Sequence, residues 1–304
     1  MAPFLISVPV FLIIAAGWLF RKYRIVDEIW VHILNRFAYH VSLPALIIGS
    51  FWNINFLDPN LLKLTGWSFA VIVAIMAVVF IALSLIKINR KSKIAIFLII
   101  CTGNSIYMGF PIITGAFGQG ALSAGSLVAV IFLIAPILAS IFVIRLWARA
   151  HNSFVSQIND FIKNPLTLSA IAGVVVSFIP KNIVGMDLVY KTVVMLGATA
   201  SPIALFALGS FIYHRLLKSD LATAFWASAI KVFGLPLAVY FAVSGFVTAD
   251  TKNLFVLLAA MPTAVTTFII SEKYSLDDSL VGSALLVSTV LSFFAIPFVL
   301  EFLI

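Results

Sequence analysis

Long apolar stretches alternate with short polar segments along the whole chain. A helix needs about 17 to 25 mainly apolar residues to cross a hydrocarbon core of roughly 30 Å. Ten windows of about this length lie near residues 4–20, 32–52, 65–86, 94–118, 122–147, 164–180, 188–213, 222–245, 254–271 and 280–303. The pattern predicts an all-α polytopic membrane protein with ten transmembrane helices.

Helix-breaking residues interrupt the fourth and ninth windows. The fourth contains Asn104 between two glycines and then Pro111, and the ninth contains Pro262. A break that exposes backbone polar groups to lipid costs several kcal/mol per group, so it persists only where protein or a solvent-accessible cavity covers it. Transporters use such breaks to bind their substrates. We therefore expect helices 4 and 9 to be broken and to carry the site.

Prolines recur at a distance of five windows, which indicates an internal repeat. The second and seventh windows share a Ser-Pro pattern at residues 42–44 and 201–202, and prolines also pair windows 4 with 9 and 5 with 10. Five spans per half is an odd number, so the two halves must enter the membrane in opposite directions. We predict two inverted five-helix repeats, residues 1–150 and 151–304, joined by the long polar connection at residues 148–163.

The charges exclude a soluble or nucleic-acid-binding protein. Hydrophobic residues make up 63% of the chain and charged residues 10%, and the net charge of +8 comes mainly from alternate loops. Loops after odd-numbered windows hold thirteen basic residues, and loops after even-numbered windows hold four. Cytoplasmic loops are enriched in Lys and Arg, so the loops after odd-numbered windows (the odd loops) are predicted to be cytoplasmic. Both termini are then predicted to be periplasmic or extracellular. The expected location is the inner (plasma) membrane.

The first window is predicted to be retained in the protein. No basic residue precedes it, whereas Arg21, Lys22 and Arg24 follow it. A secretory signal has the opposite order, with a positive segment ahead of its apolar region.

Several segments together resemble the auxin efflux carrier family, and the resemblance covers nearly the whole chain. The segments that carry it are Gly103-Asn104-Ser105-Ile106-Tyr107-Met108-Gly109-Phe110-Pro111, Ser42-Leu43-Pro44-Ala45, Pro202-Ile203-Ala204-Leu205-Phe206-Ala207-Leu208-Gly209, Ala260-Met261-Pro262-Thr263-Ala264 and Ser288-Thr289-Val290-Leu291-Ser292.

This resemblance implies a fold similar to that of bile-acid/sodium symporters. Spans 1, 2, 6 and 7 would form a scaffold that makes a homodimer, and spans 3–5 and 8–10 a transport domain. Spans 4 and 9 would cross at the binding site. The implied activity is secondary transport of small organic anions, such as mono- or dicarboxylates or auxin-like acids, by an elevator-type movement.

The residues themselves suggest how an anion would be held. Half-helices that start after Pro111 and Pro262 would aim free N–H groups and positive dipole ends at one point, which suits a carboxylate. The predicted substrate-binding residues are Asn104, Ser105, Gly109, Pro111, Pro262, Thr263 and Thr266. Two alternatives stay open: prolines that only kink the helices, and an Asn104 that only bonds a neighbouring helix.

Charge at membrane depth is scarce. No Asp or Glu lies mid-span, so no metal site is predicted and we expect transport to be indifferent to sodium. Neutral oxygen ligands for sodium remain an alternative.

Two basic or titratable residues within the spans have open roles. Lys231 would either extend to the cytoplasmic face or attract an anionic substrate. His40 would either carry a proton or be structural. Proton coupling, sodium coupling and uniport all stay open.

Other functional classes find less support in the sequence. The chain has no HExxH motif, no paired intramembrane aspartates and no glycine-rich phosphate loop, so an enzyme is not predicted and no cofactor is expected. It also has no repeated filter motif of the kind a channel would use. A membrane receptor or channel without carrier activity remains the alternative function.

Overall fold

The computed structural model describes residues 3–148, 162–214 and 221–304, and every extended element in them is helical. The helices are Pro3–Lys22, Glu28–Phe37, Leu43–Phe51, Pro59–Leu85, Arg90–Cys101, Gly109–Phe117, Leu122–Ala148, Pro165–Ser177, Met186–Ala198, Ala200–His214, Leu221–Ala229, Leu235–Val243, Ala249–Ala259, Val265–Lys273 and Asp278–Phe302, with a short 3-10 helix at Gln119–Ala121. The predicted repeat boundary, and Arg149, Arg215 and Lys218 of the basic loops, lie outside the described residues.

Seven helical segments of the described chain are long and apolar enough to cross a membrane. They are Pro3–Lys22, Glu28–Phe51, Pro59–Leu85, Gln119–Trp147, Met186–Tyr213, Leu221–Val243 and Asp278–Phe302. Each coincides with one of the predicted windows. The window near 164–180 contains the shorter apolar helix Pro165–Ser177. The described part of the chain is thus all-helical, as predicted, with seven segments able to span a membrane.

The predicted fourth and ninth windows each contain two short helices instead of one long helix. Arg90–Cys101 and Gly109–Phe117 are separated by residues 102–108, which we call the first break. Ala249–Ala259 and Val265–Lys273 are separated by residues 260–264, the second break. The first break contains Gly103 and Asn104, and the second contains Pro262.

Four segments of the chain pack mainly against one another: Pro3–Lys22, Glu28–Phe51, Pro165–Ser177 and Met186–His214. Their closest approach joins the first helix to Ala200–His214 through two glycines. A Cβ on Gly17 would lie 2.0 Å from the Phe206 carbonyl oxygen, and one on Gly209 would lie 1.9 Å from that of Ile14. Such main-chain contact needs glycine on both helices, as is common where membrane helices associate.

The remaining helices form a second packed group around the two breaks. Its main contacts join Leu221–Ala229 to Asp278–Phe302, Pro59–Leu85 to Leu122–Ala148, and Leu235–Val243 to Ala249–Ala259. The principal contacts between the two groups are fewer. They join Pro3–Lys22 to Asp278–Phe302 and to Gly109–Phe117, and Leu43–Phe51 to Leu122–Ala148.

Two membrane helices contain a π-helical turn, and each turn lies just before a proline. Residues Ala38–Ser42 precede Pro44, and Ile230–Gly234 precede Pro236. A proline ring clashes with the carbonyl four residues earlier, and a wider turn moves that carbonyl away. The second turn contains Lys231, and π turns are frequent at functional sites.

Candidate functional site

The two breaks lie against each other. Gly103 and Thr263 form an isolated antiparallel β-bridge, and the main-chain N–H of Asn104 donates a 2.8 Å hydrogen bond to the carbonyl of Pro262. Backbone groups freed by interrupting one helix are therefore paired with those of the other. This pairing offsets the cost of non-helical backbone at membrane depth.

Buried hydroxyl groups complete the connection between the breaks. The hydroxyls of Thr102 and Thr267 share a short hydrogen bond. The Thr263 hydroxyl donates to the Ile99 carbonyl at 3.2 Å, and its main-chain N–H donates to the Ser288 hydroxyl at 3.1 Å. Each bond joins elements that are distant in sequence, so the hydroxyls fix the relative position of three helical segments.

One detail of the sequence prediction is wrong. The second half-helix of the fourth window begins at Gly109, two residues before Pro111 and not after it. A proline fits the first turn of a helix because the N–H it lacks would have no partner there. The N–H groups of Met108 and Gly109 donate to the Asn104 carbonyl at 3.3 Å, so they are not free to bind an anion. Pro262, in contrast, lies within the second break, and its half-helix follows at Val265.

Lys231 extends to the first break. Its side chain is 2% exposed, and its Nζ lies 3.2 Å from the position that a Cβ on Gly103 would take. The alternative in which Lys231 extends to the cytoplasmic face is therefore wrong. Among the described residues, Lys231 is the one buried residue that carries a charged side chain, and it forms no ion pair with another of them.

Two further polar side chains near the breaks lack protein partners. The Asn104 side-chain amide makes no hydrogen bond within the described part of the chain, although the residue is 4% exposed. The hydroxyl of Thr266, in the first turn of Val265–Lys273, is likewise buried and unpaired among the described residues. Buried polar groups are normally paired, so unpaired ones indicate a place for water or a ligand.

A cavity of about 480 Å³ lies where the two helix groups meet. It reaches the half-helix Gly109–Phe117 at Phe110, Pro111 and Thr114, and the facing group at Ser50 and Tyr190. This volume suits a small organic molecule. None of the described residues that line the cavity is charged, and neither Asn104 nor Lys231 is among them.

The structure brings some predicted site residues together and separates others. Ser105 lies at the first break, where its hydroxyl donates to the Gly103 carbonyl at 3.3 Å. Gly109 packs against Leu258, whose side chain a Cβ at Gly109 would approach to 2.8 Å. His40 is exposed on the π turn of another helix, with its ring 5.1 Å from that of Tyr39.

Sequence reasoning missed two residues that contribute to the site. Thr102 precedes Gly103 directly, so its place in the interrupted segment was a usable signal. Ser288 had a weaker signal, because its hydroxyl reaches Thr263 only through the packing of Asp278–Phe302.

Comparison with known proteins places the sequence in a family. A family model described as "Membrane transport protein" matches residues 5–160 and 149–300. The chain belongs to this family. The match confirms the resemblance drawn from the motifs. The chain is also similar to the uncharacterized transporter MJ1031 of Methanocaldococcus jannaschii, with 20% identity over 303 residues that cover 97% of each chain.

Membership in this family identifies the chain as a multi-pass membrane transport protein and points away from an enzyme.

Proposed function

We propose that the protein is a secondary carrier of small organic anions, such as mono- or dicarboxylates or auxin-like acids. The observation that carries this proposal is the meeting of two broken helices beside a buried lysine that has no acidic partner among the described residues. A buried charge is costly unless it is compensated. A carboxylate near the breaks would compensate it, with the Asn104 amide and the Thr266 hydroxyl as neutral donors.

The architecture we propose has ten spans in two inverted repeats, residues 1–150 and 151–304. The seven long helices, the shorter helix Pro165–Ser177 and the two interrupted pairs add up to this number. The interrupted pairs would be spans 4 and 9, crossing at the Gly103–Thr263 bridge. Their equivalent places in the two halves support an inverted repeat.

The helix packing supports an elevator-type mechanism. Spans 1, 2, 6 and 7 correspond to the helix group joined through Gly17 and Gly209, and spans 3–5 and 8–10 to the group that holds both breaks. The breaks are bound within one group, and the cavity lies between the groups. Movement of the second group against the first would carry a bound anion across the membrane without dismantling its site. The first group would also form the homodimer.

Contacts between loops support the proposed orientation. The Ser92 hydroxyl donates to Asp277 at 2.7 Å, which joins the starts of two helices at the side that the charge pattern places in the cytoplasm. On the other side, the Lys181 ammonium lies 5.3 Å from the centre of the Trp52 ring. Both pairings agree with cytoplasmic odd loops and with termini on the periplasmic or extracellular side of the plasma membrane.

Ligand-induced thermal stabilisation tests the substrate class. A ligand present at 100 times its Kd should stabilise the purified protein by about 2.7 kcal/mol. We expect at least one mono- or dicarboxylate to raise the Tm, and the uncharged amide of the same acid to leave it unchanged. Equal shifts of the Tm with the acid and with its amide would contradict an anion site.

A receptor or channel would also bind a ligand, so counterflow of the ligand distinguishes a carrier from both.

A further inference from the structure

Three polar atoms from different parts of the chain converge above the Cα of Gly103. An ideal Cβ at this glycine would lie 3.2 Å from Nζ of Lys231, 3.3 Å from the Ser105 hydroxyl and 3.6 Å from the Met261 carbonyl oxygen. The ammonium therefore lies at the contact of the two breaks, next to neutral oxygen atoms from both of them.

The two helices that end at the breaks make this location favourable for a positive charge. Arg90–Cys101 and Ala249–Ala259 both present their C-terminal ends to the breaks. A helix C-terminus carries a partial negative charge that favours a cation. Unwound carbonyls and half-helix C-termini are the groups that coordinate Na⁺ in some carriers with broken helices. Here the Lys231 ammonium lies at the same place as one such carbonyl, that of Met261, and near the ends of both helices.

The ammonium comes from a third helix and is held there by packing. Lys231 lies in the π turn Ile230–Gly234, which contacts both Arg90–Cys101 and Asp278–Phe302. The main-chain N–H of Leu235 donates to the carbonyl of Ile230, five residues earlier, and Pro236 follows directly. The side chain is thus directed at the breaks by a local feature of its own helix.

We propose that Lys231 is a built-in cation that stabilises the contact between the two breaks in the position where a coupling Na⁺ would otherwise bind. This inference extends the proposed function, because it explains how the site would operate without a free metal ion. It also has a consequence of its own. Removing the side chain should leave a vacancy lined by carbonyl and hydroxyl oxygens that a free cation can fill.

Thermal stability without substrate tests this directly. Lys231→Ala removes the atoms of an n-propylammonium ion, so that ion should fit the vacancy. We expect the Tm of Lys231→Ala to fall by several degrees in choline chloride and to recover in NaCl or propylammonium chloride at equal ionic strength. Lys231→Met fills the space without charge and should not recover in either salt. Lys63→Ala, at an exposed lysine, is the control and should match the wild type throughout.

The wild-type protein provides a second test that needs no variant. Its Tm should be equal in NaCl and choline chloride, because the cation position is already occupied. A sodium-specific rise in the wild-type Tm would overturn the proposal. So would a Lys231→Met protein as stable as the wild type, or a folded Lys231→Ala protein with the same Tm in all three salts. Since no substrate is present, these results remain distinct from a failure of the carrier proposal.

Discussion

The main-chain N–H of Asn104 is bonded to the main-chain carbonyl of Pro262 at 2.8 Å. This contact joins the two breaks without using either side chain. Substituting the Asn104 side chain therefore leaves the contact in place, and the amide remains free to serve another purpose. Structural and binding roles of this residue can be separated by mutation.

Asn104→Ala should weaken substrate binding and leave the fold intact. If the amide donates to a carboxylate, its loss should cost about 1 to 3 kcal/mol of binding free energy. The measurement is the ligand concentration needed for half-maximal thermal stabilisation, together with the Tm without ligand. Asn53→Ala, at an exposed asparagine, serves as the control. Equal affinities in wild type and Asn104→Ala would remove the amide from the site.

Thr266 and Thr267 should respond in opposite ways to replacement by valine. The Thr267 hydroxyl is bonded to Thr102, so Thr267→Val should lower the free energy of unfolding by about 1 kcal/mol. The Thr266 hydroxyl has no partner among the described residues, so Thr266→Val should retain stability and lose substrate affinity. Melting curves with and without ligand distinguish the two effects. A loss of stability in Thr266→Val, with unchanged affinity, would show that its hydroxyl is structural.

Gly209→Ala should disrupt the helix group that we assign to the scaffold. The new methyl group would lie 1.9 Å from the Ile14 carbonyl oxygen, so the two backbones would have to separate. Gly66→Ala is the matched control, because nothing lies within 4 Å of its added Cβ. We expect a large fall in Tm for the first and an unchanged or slightly raised Tm for the second. Similar Tm values for both would refute the close main-chain contact.

Cysteine labelling in intact cells should reveal the orientation. The native Cys101 is buried and should not react. The exposed positions Asn53, in a loop, and Lys91, at the start of a helix, are predicted to lie on opposite sides of the membrane. An impermeant thiol reagent should label Asn53→Cys from outside, and Lys91→Cys only after the cells are permeabilised. The reverse pattern would invert the topology.

The sequence was sufficient for features that depend on local composition. Apolar windows predicted the seven long helices, because the membrane requires a fixed number of apolar residues per span. Asn104 with its flanking glycines, and Pro262, predicted both breaks, because polar and helix-breaking residues interrupt the apolar pattern there. The family resemblance rested on the same segments and was confirmed.

Features that depend on packing between helices could not be predicted in the same way. Lys231 was recognised as a charged residue within a span, but the direction of its side chain follows from a π turn and from contacts with two other helices. The start of the half-helix at Gly109 depends on the main-chain hydrogen bonds from Met108 and Gly109 to the Asn104 carbonyl. The bond between Thr102 and Thr267 joins residues far apart in sequence, and no local pattern marks it.

Counterflow in proteoliposomes tests the central claim most directly. Vesicles that contain the purified protein are loaded with an unlabelled carboxylate that stabilises it, and then diluted into a trace of the same compound in labelled form. A carrier should accumulate the label transiently above its equilibrium level, and protein-free vesicles should not. We predict this overshoot for the wild type and a smaller one for Asn104→Ala at low substrate concentration. A folded, ligand-binding protein with no overshoot would contradict the assignment as a carrier.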